Sequence, residues 1–261
     1  MLVRVFGSLS VTAARRAIRI TAPKERVLLA ALAMDAGKTA PNDELCRALW
    51  GTDWSPRQDG AFRPLVRRLR KTLGEDELIV TESLGYRLAA NPGDIDLLAF
   101  EALDRAGTAA AAVGDWRQTL VLLTRAEAIG QRGALFEDVP SEYLRHKHVH
   151  YLETRLLLVR EKRIEAAIRV LTCRAAADVL PDLELLIREH PQNEHLRWLH
   201  MLSLYRASRQ GDAQHAFREA WAHGKSELGK EPGAALKELN QRIVGNDPAL
   251  LREPFGGPLA T

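Results

Sequence analysis

Several things are scarce or missing in this chain, and each absence excludes something. Two cysteines, Cys46 and Cys173, stand in 261 residues, both in helical, mostly apolar contexts. They imply no disulfide scaffold and suit a reducing cytoplasm, the expected location. The longest apolar-looking run, "RVLLAALAMDAG" at 26–37, is too short to span a bilayer and opens on a charge, so no membrane segment is expected. The N-terminus lacks an apolar core followed by a cleavage signal. No GxSxG elbow, Walker loop, dinucleotide fingerprint or HExxH pair is present. No paired carboxylates suggest a cleft, so no enzyme activity, cofactor or catalytic residue is expected. "HKHVH" at 146–150 puts His146 and His150 on one helix face, but no carboxylate or cysteine clearly completes a set, and no metal is expected.

Aromatics are only 6% of the residues, while Ala and Leu are plentiful, a mixture that favours helix. Charge is unevenly placed. Residues 1–90 hold fifteen Lys or Arg against ten Asp or Glu, and residues 91–261 hold twenty-two against twenty-four. The first third is therefore the basic part, where a polyanionic partner is the first thing to test.

That first third alternates short strands with helices. "LVRVFGSLSV" reads as strand, turn, strand, and "RRAIRIT" as a third strand. A helix follows from Pro23 with Thr21 as its cap, and Gly37 closes it. Asn42 is the expected cap of the next helix, with Asp43 and Glu44 in its first turn, Leu45 and Leu49 inward, and Gly51 at its end. "TDWSP" at 52–56 connects.

The stretch "RQDGAFRPLVRRLRKTLG" at 57–74 carries six basic residues in eighteen. On a helix, Phe62, Val66, Leu69 and Leu73 fall at spacings of four, three and four and make one apolar stripe, with Leu65 beside it. Arg63, Arg67 and Arg70 share an adjoining face, and Lys71 joins their edge. The stripe can anchor in a core while guanidiniums reach phosphates or guanine edges in a major groove. Pro64 is awkward in such a helix. If the helix starts near Gly60 or Ala61, the proline falls in the first turn, where no hydrogen bond is owed. "ELIVTESLGYRLAA" then reads as a hairpin around Gly85. Strands, three helices, an arginine row and a hairpin make an α+β winged helix-turn-helix over residues 1–90.

"NPGDID" at 91–96 is a Pro/Gly break and the expected domain boundary. Beyond it residues 94–245 read as an all-α, tetratricopeptide-like domain, followed by a flexible tail at 246–261. Two helices meet near Gly114–Asp115, a long helical region breaks near Thr172–Arg174, and two helices flank "RQGD". In that last pair Leu199, Leu202 and Tyr205 are expected to face Ala213, Ala216 and Phe217. Such arrays offer a concave surface to partners; a closed bundle used for packing or dimerisation is the other reading.

The quoted segments resemble the actinobacterial antibiotic regulatory proteins, which join an OmpR-type winged helix to a bacterial transcriptional activation domain. "ELCRALWG" (44–51), "RRLRKTLG" (67–74) and "GYRL" (85–88) carry the likeness in the first half. "HPQNEHLRWLHMLSLYRASRQGDA" (190–213) and "ELGKEPGAALKELNQRI" (227–243) carry it in the second. The resemblance implies a sequence-specific activator of a biosynthetic gene cluster that binds direct repeats in double-stranded promoter DNA and recruits RNA polymerase holoenzyme. Carried over residue by residue, Arg63, Arg67 and Arg70 are base or groove candidates. Arg68, Lys71, Arg87, Thr81 and Ser83 are backbone candidates, the last two at a wing tip that also carries the acid Glu82. Phe62, Val66, Leu69 and Leu73 support the helix. Pro64 and Gly60 depart from the family pattern. With no receiver or sensor module in the sequence, a short stand-alone member is expected. The alternative is a protein-interaction adaptor, or a ligand-responsive regulator using the helical half, with weak or lost DNA binding. A homodimer through the helical half stays open.

Overall fold

A computed structural model of the chain describes residues 1–13, 15–51, 59–74, 78–91, 93–170 and 174–251. The chain divides into two compact units, one of Met1–Ala106 with Leu122–Val159, the other of Gly107–Val121 with Arg160–Thr261. It is a sheet-containing winged-helix region followed by a helical domain.

The first unit opens with three antiparallel strands, β1 (Leu2–Arg4), β2 (Ser10–Ala13) and β3 (Arg16–Ile18), in that spatial order. Val3 and Val11 pair in register and are buried, because alternate residues of a strand share a face. Helices α1 (Pro23–Met34) and α2 (Asn42–Trp50) follow, then α3 (Asp59–Leu73). Between them β4 (Thr39–Pro41) joins β5 (Ile79–Thr81) and β6 (Gly85–Leu88) in a second antiparallel sheet of order β4-β6-β5. The sequence reading did not anticipate β4. It carries Pro41 at an edge, where a strand can lack an N–H without breaking the ladder.

Three local expectations need correction. The cap of α1 is Ala22, in extended conformation, and no side chain caps this helix. Thr21 lies one residue too early. Pro23 needs no cap of its own, since it has no N–H, and Arg26 N–H donates to the Ala22 carbonyl at 3.1 Å. The cap of α2 is Pro41, not Asn42. Pairing with β6 holds Pro41 extended, and Asn42 gives its N–H to the Leu84 carbonyl at 3.2 Å. Gly37 does not close α1, which ends at Met34. It turns the chain toward β4 at φ +82° and donates to the Leu88 carbonyl at 3.0 Å.

The core of this unit continues beyond the Pro/Gly break. Val3 N–H donates to the Asp94 carbonyl at 2.7 Å, and Ile95 bridges to Val3. Asp96 opens α4 (Asp96–Ala112) and is only 3% exposed. Its carboxylate accepts from Val5 N–H at 2.8 Å and Phe6 N–H at 3.3 Å. Burial pushes the carboxyl above its ordinary pKa, and these donors with Arg132 pull it back. Gly114, at φ +77°, turns the chain into α5 (Trp116–Gly130). After the 131–140 loop come the short α6 (Glu142–Leu144), a π-helical turn at Arg145–Val149, and α7 (His150–Val170). Ser141 Oγ donates to the Ala48 carbonyl at 2.7 Å, and Lys147 pairs with Glu44, so α2 is tied to the α6 region.

The second unit contains α8 (Leu180–Glu189), α9 (Glu194–Arg206), α10 (Gln210–Leu228) and α11 (Ala234–Val244). Asn193 caps α9 by accepting from His195 and Leu196 N–H groups. The turn at 207–209 reverses the chain into α10, and Leu199, Leu202, Tyr205 and Ala213 are buried, with Ala216 and Phe217 half-buried. The Glu194 carboxylate accepts from Gly233 N–H at 2.9 and 3.1 Å, which ties the start of α9 to that of α11. Pro248–Leu251 forms a 3-10 turn with Leu250 buried. The expected breaks at "TDWSP" and around Thr172 fall outside the described residues, and Arg174 opens a 3-10 turn. Among the described residues no helix is long and apolar enough to cross a membrane.

Candidate nucleic-acid interface

The orientation of α3 is set by its apolar stripe. Phe62, Leu65, Val66, Leu69 and Leu73 are all buried. Phe62 lies edge-on to Tyr86 of β6 at 5.4 Å and to Trp50 of α2 at 6.4 Å between ring centroids, so one ring joins both helices to the wing sheet. Thr72 Oγ1 donates to the buried Glu25 at 3.0 Å, which ties α3 to α1 as well. Gly74 ends the helix at φ +75°.

With the stripe inside, Arg63, Arg67, Arg68 and Lys71 are exposed. Arg70 is not in the same condition. It is half-buried, its Nε donates to the Ile79 carbonyl at 2.9 Å, and its Nη2 donates to the same carbonyl and to Thr81 Oγ1 at 2.9 Å. Its guanidinium also lies 6.0 Å from the centre of the Tyr86 ring. Arg70 thus clasps β5 to α3 and occupies Thr81 in doing so.

Arg87 on β6 is half-buried and engaged as well. Its Nε meets Glu82 Oε1 at 2.6 Å, while Thr39 Oγ1 of β4 donates to the other oxygen of Glu82. The bonds from Thr39 and Arg87 hold the Glu82 carboxyl below its ordinary pKa. The acid read from the sequence at the wing tip therefore points back across the sheet, with its charge matched. Ser83 is exposed. A groove of about 940 Å³ lies between α3 and the wing, with Arg63 and Arg70 on one side and Glu82 and Ser83 on the other.

Pro64 sits inside α3, not in its first turn. The described helix already runs from Asp59, five residues before the proline, which places Pro64 beyond a first turn and within the hydrogen-bond ladder. Pro64 has no N–H to offer, so the Gly60 carbonyl lacks its ordinary donor four residues on. Gly60 has open space around its Cα, which leaves room for the local adjustment. Sequence reasoning missed two features: the clasp made by Arg70 and the inward turn of Glu82. Both depend on strands brought alongside by tertiary folding.

The chain was compared with known proteins. A family described as bacterial transcriptional activator domain matches residues 95–244, and one described as transcriptional regulatory protein, C terminal, matches residues 16–88. The chain belongs to the actinobacterial antibiotic regulatory protein family. It is 35% identical over 230 residues to the regulatory protein AfsR of Streptomyces griseus, covering 88% of this chain and 23% of that one. It is 30% identical over 248 residues to the regulatory protein DnrI of Streptomyces peucetius, covering 88% of this chain and 87% of that one. The solved structure of Mycobacterium tuberculosis EmbR in complex with a low-affinity phosphopeptide matches with a TM-score of 0.84 at 30% identity, over 95% of this chain and 65% of that one. Against AfsR, the chain spans about a quarter of its relative's length. In this family the arginine row of α3 lies within the matched 16–88 region, and α9–α11 within the matched 95–244 region.

Proposed function

We propose that this protein is a sequence-specific DNA-binding transcriptional activator of a biosynthetic gene cluster. The observation that carries the reading is the face of α3. A buried apolar stripe fixes the helix, and the adjoining face presents Arg63 and Arg67, both exposed among the described residues. Exposed guanidiniums on a rigid helix beside a hairpin fit a major groove, where they fork onto guanine O6 and N7 or onto phosphate. Arg68 and Lys71 are the phosphate contacts on the flank. Arg70, Thr81 and Arg87 take a supporting part: they hold the wing against the helix.

In this reading residues 1–90 bind DNA and residues 94–245 contact RNA polymerase holoenzyme. Two protomers occupy direct repeats, with a homodimer through the helical half as one way to pair them. The adaptor alternative drew on Pro64 and on the acid at the wing tip; Glu82 is paired with Arg87, while Pro64 stands inside α3.

Footprinting the purified protein on promoter fragments of the adjoining genes tests the reading. Protection of a defined repeat, with transcription by polymerase rising when the protein is added, is the expected result. Equal, weak binding to every fragment would overturn it.

A further inference from the structure

The second unit holds a cavity that the DNA-binding reading does not use. It measures about 360 Å³, a size that suits a small ligand, and is lined by residues of α8, α9 and α10. Ile187 of α8 and Ala216 of α10, both half-buried, make its apolar part. His200 of α9 also lines it, and the Nε2 of that ring is buried with no hydrogen-bond partner among the described residues. Burial holds the imidazole below its ordinary pKa, with Glu184 and Glu219 opposing the shift and Arg209 and Arg197 adding to it, so the ring is neutral at neutral pH. A buried polar atom left unpaired is destabilising, and a ligand group that bonds to it removes the penalty.

The other lining residues are charged, and both signs are present. Arg188 is exposed, and its Nε donates to the Glu184 carbonyl of its own helix at 3.2 Å. Arg197 is half-buried, and its Nε and Nη2 donate to the Pro191 carbonyl at 3.1 and 2.8 Å. Backbone carbonyls thus orient both guanidiniums. Neither closes an ion pair among the described residues, although the carboxylates of Glu184 and Glu219 line the same cavity. Glu219 has His215 of its own helix at 3.7 Å. Guanidiniums grip a carboxylate through paired bonds, and carboxylates beside them suit an ammonium group. We propose that this cavity binds a small zwitterion with an apolar side chain, an amino acid of the leucine or phenylalanine class. Its carboxylate meets Arg188 and Arg197, its ammonium meets Glu184 and Glu219, and its side chain rests on Ile187 and Ala216. His200 Nε2, with the ring proton on Nδ1, accepts a further bond from the ammonium. Every lining residue belongs to the second unit, so the site stands whether or not the first unit reads DNA.

Titration calorimetry of the full chain tests the proposal. The probes are L-leucine and L-phenylalanine, each also with its amine acetylated or its carboxylate converted to an amide. A Kd of about 1 mM or tighter is expected for at least one of the two free amino acids. Acetylation and amidation should each weaken binding at least about 10-fold. Arg188→Gln should weaken it about 10-fold and leave the melting temperature of the free protein unchanged, because the side chain is exposed. Ala216→Leu should block binding by filling the apolar part. In spectra of histidine-labelled protein, the bound amino acid should shift the ring signals of His200, assigned by their loss in His200→Gln. No saturable heat with either amino acid up to about 10 mM overturns the proposal. Binding of the acetylated or amidated probe as tight as that of the free amino acid also overturns it, and so does binding that Arg188→Gln leaves unchanged or that does not move the His200 signals. Should Ala216→Leu melt at a lower temperature than wild type, Arg188→Gln and the His200 signals decide.

Discussion

The arginines of α3 are one residue type used in opposite ways. Arg63, Arg67 and Arg68 are exposed, and Arg63 borders the open groove. Arg70, which lines the same groove, is half-buried and spends its donors on the Ile79 carbonyl and Thr81. A guanidinium satisfied by the fold stabilises the fold. One that meets only water is available to a ligand, and removing it leaves the protein's own structure unchanged. The same contrast recurs in the wing, where Arg87 is engaged by Glu82. The basic face is therefore smaller than its arginine count, and more sharply directed.

The contrast can be broken most forcefully at the exposed arginines. Arg63→Ala/Arg67→Ala should weaken promoter binding by at least about 30-fold, since each bidentate contact is worth roughly 1–3 kcal/mol. Thermal melting should not move, because both side chains are exposed. A melting temperature that falls as far as the affinity would count against the division of roles. Gly85→Ala acts on the wing instead. It forces a methyl group into the Ala40 backbone and should destabilise the protein by roughly 3 kcal/mol, read by denaturant titration.

Arg70→Ala should cost about 1–2 kcal/mol of stability through its lost hydrogen bonds. Its effect on DNA binding should be modest and similar for specific and random fragments. Arg70→Lys should not restore the stability, because an ammonium cannot reproduce the planar fork. Glu82→Gln should free Arg87 and remove a negative charge, giving a few-fold tighter binding with a salt slope steeper by about 1. The smallest effect is expected at Pro64. Pro64→Ala restores the N–H owed to Gly60 and should raise stability by roughly 1 kcal/mol, the gain being offset by the looser unfolded chain.

Much of this arrangement is legible along the sequence, because much of it is local. The stripe of Phe62, Val66, Leu69 and Leu73 follows from helical spacing alone, and all four residues are buried. Gly51 and Gly74 end their helices at positive φ, where a glycine is favoured. The remainder depends on segments distant in the chain. β4 is three residues long and too short for a periodic signal. Its pairing with β6 sets the cap of α2 at Pro41 and brings Thr39 to Glu82. Arg70 looks equivalent to Arg67 until β5 comes alongside and offers a carbonyl. Pro64 shows the limit of local rules from the other side. A proline in the second turn of a helix is disfavoured, yet the stripe on either side of it anchors α3 through the proline.

The most direct test of the central claim is the salt dependence of specific DNA binding, measured side by side for wild type, Arg63→Ala/Arg67→Ala and Arg70→Ala. Each phosphate contact removed should flatten the slope by about 1, and a base contact should lower affinity at every salt concentration. The account predicts a flattened or strongly lowered line for the double variant and a line parallel to wild type for Arg70→Ala. The reverse pattern, with Arg70→Ala flattening the slope while the double variant tracks wild type, would contradict it.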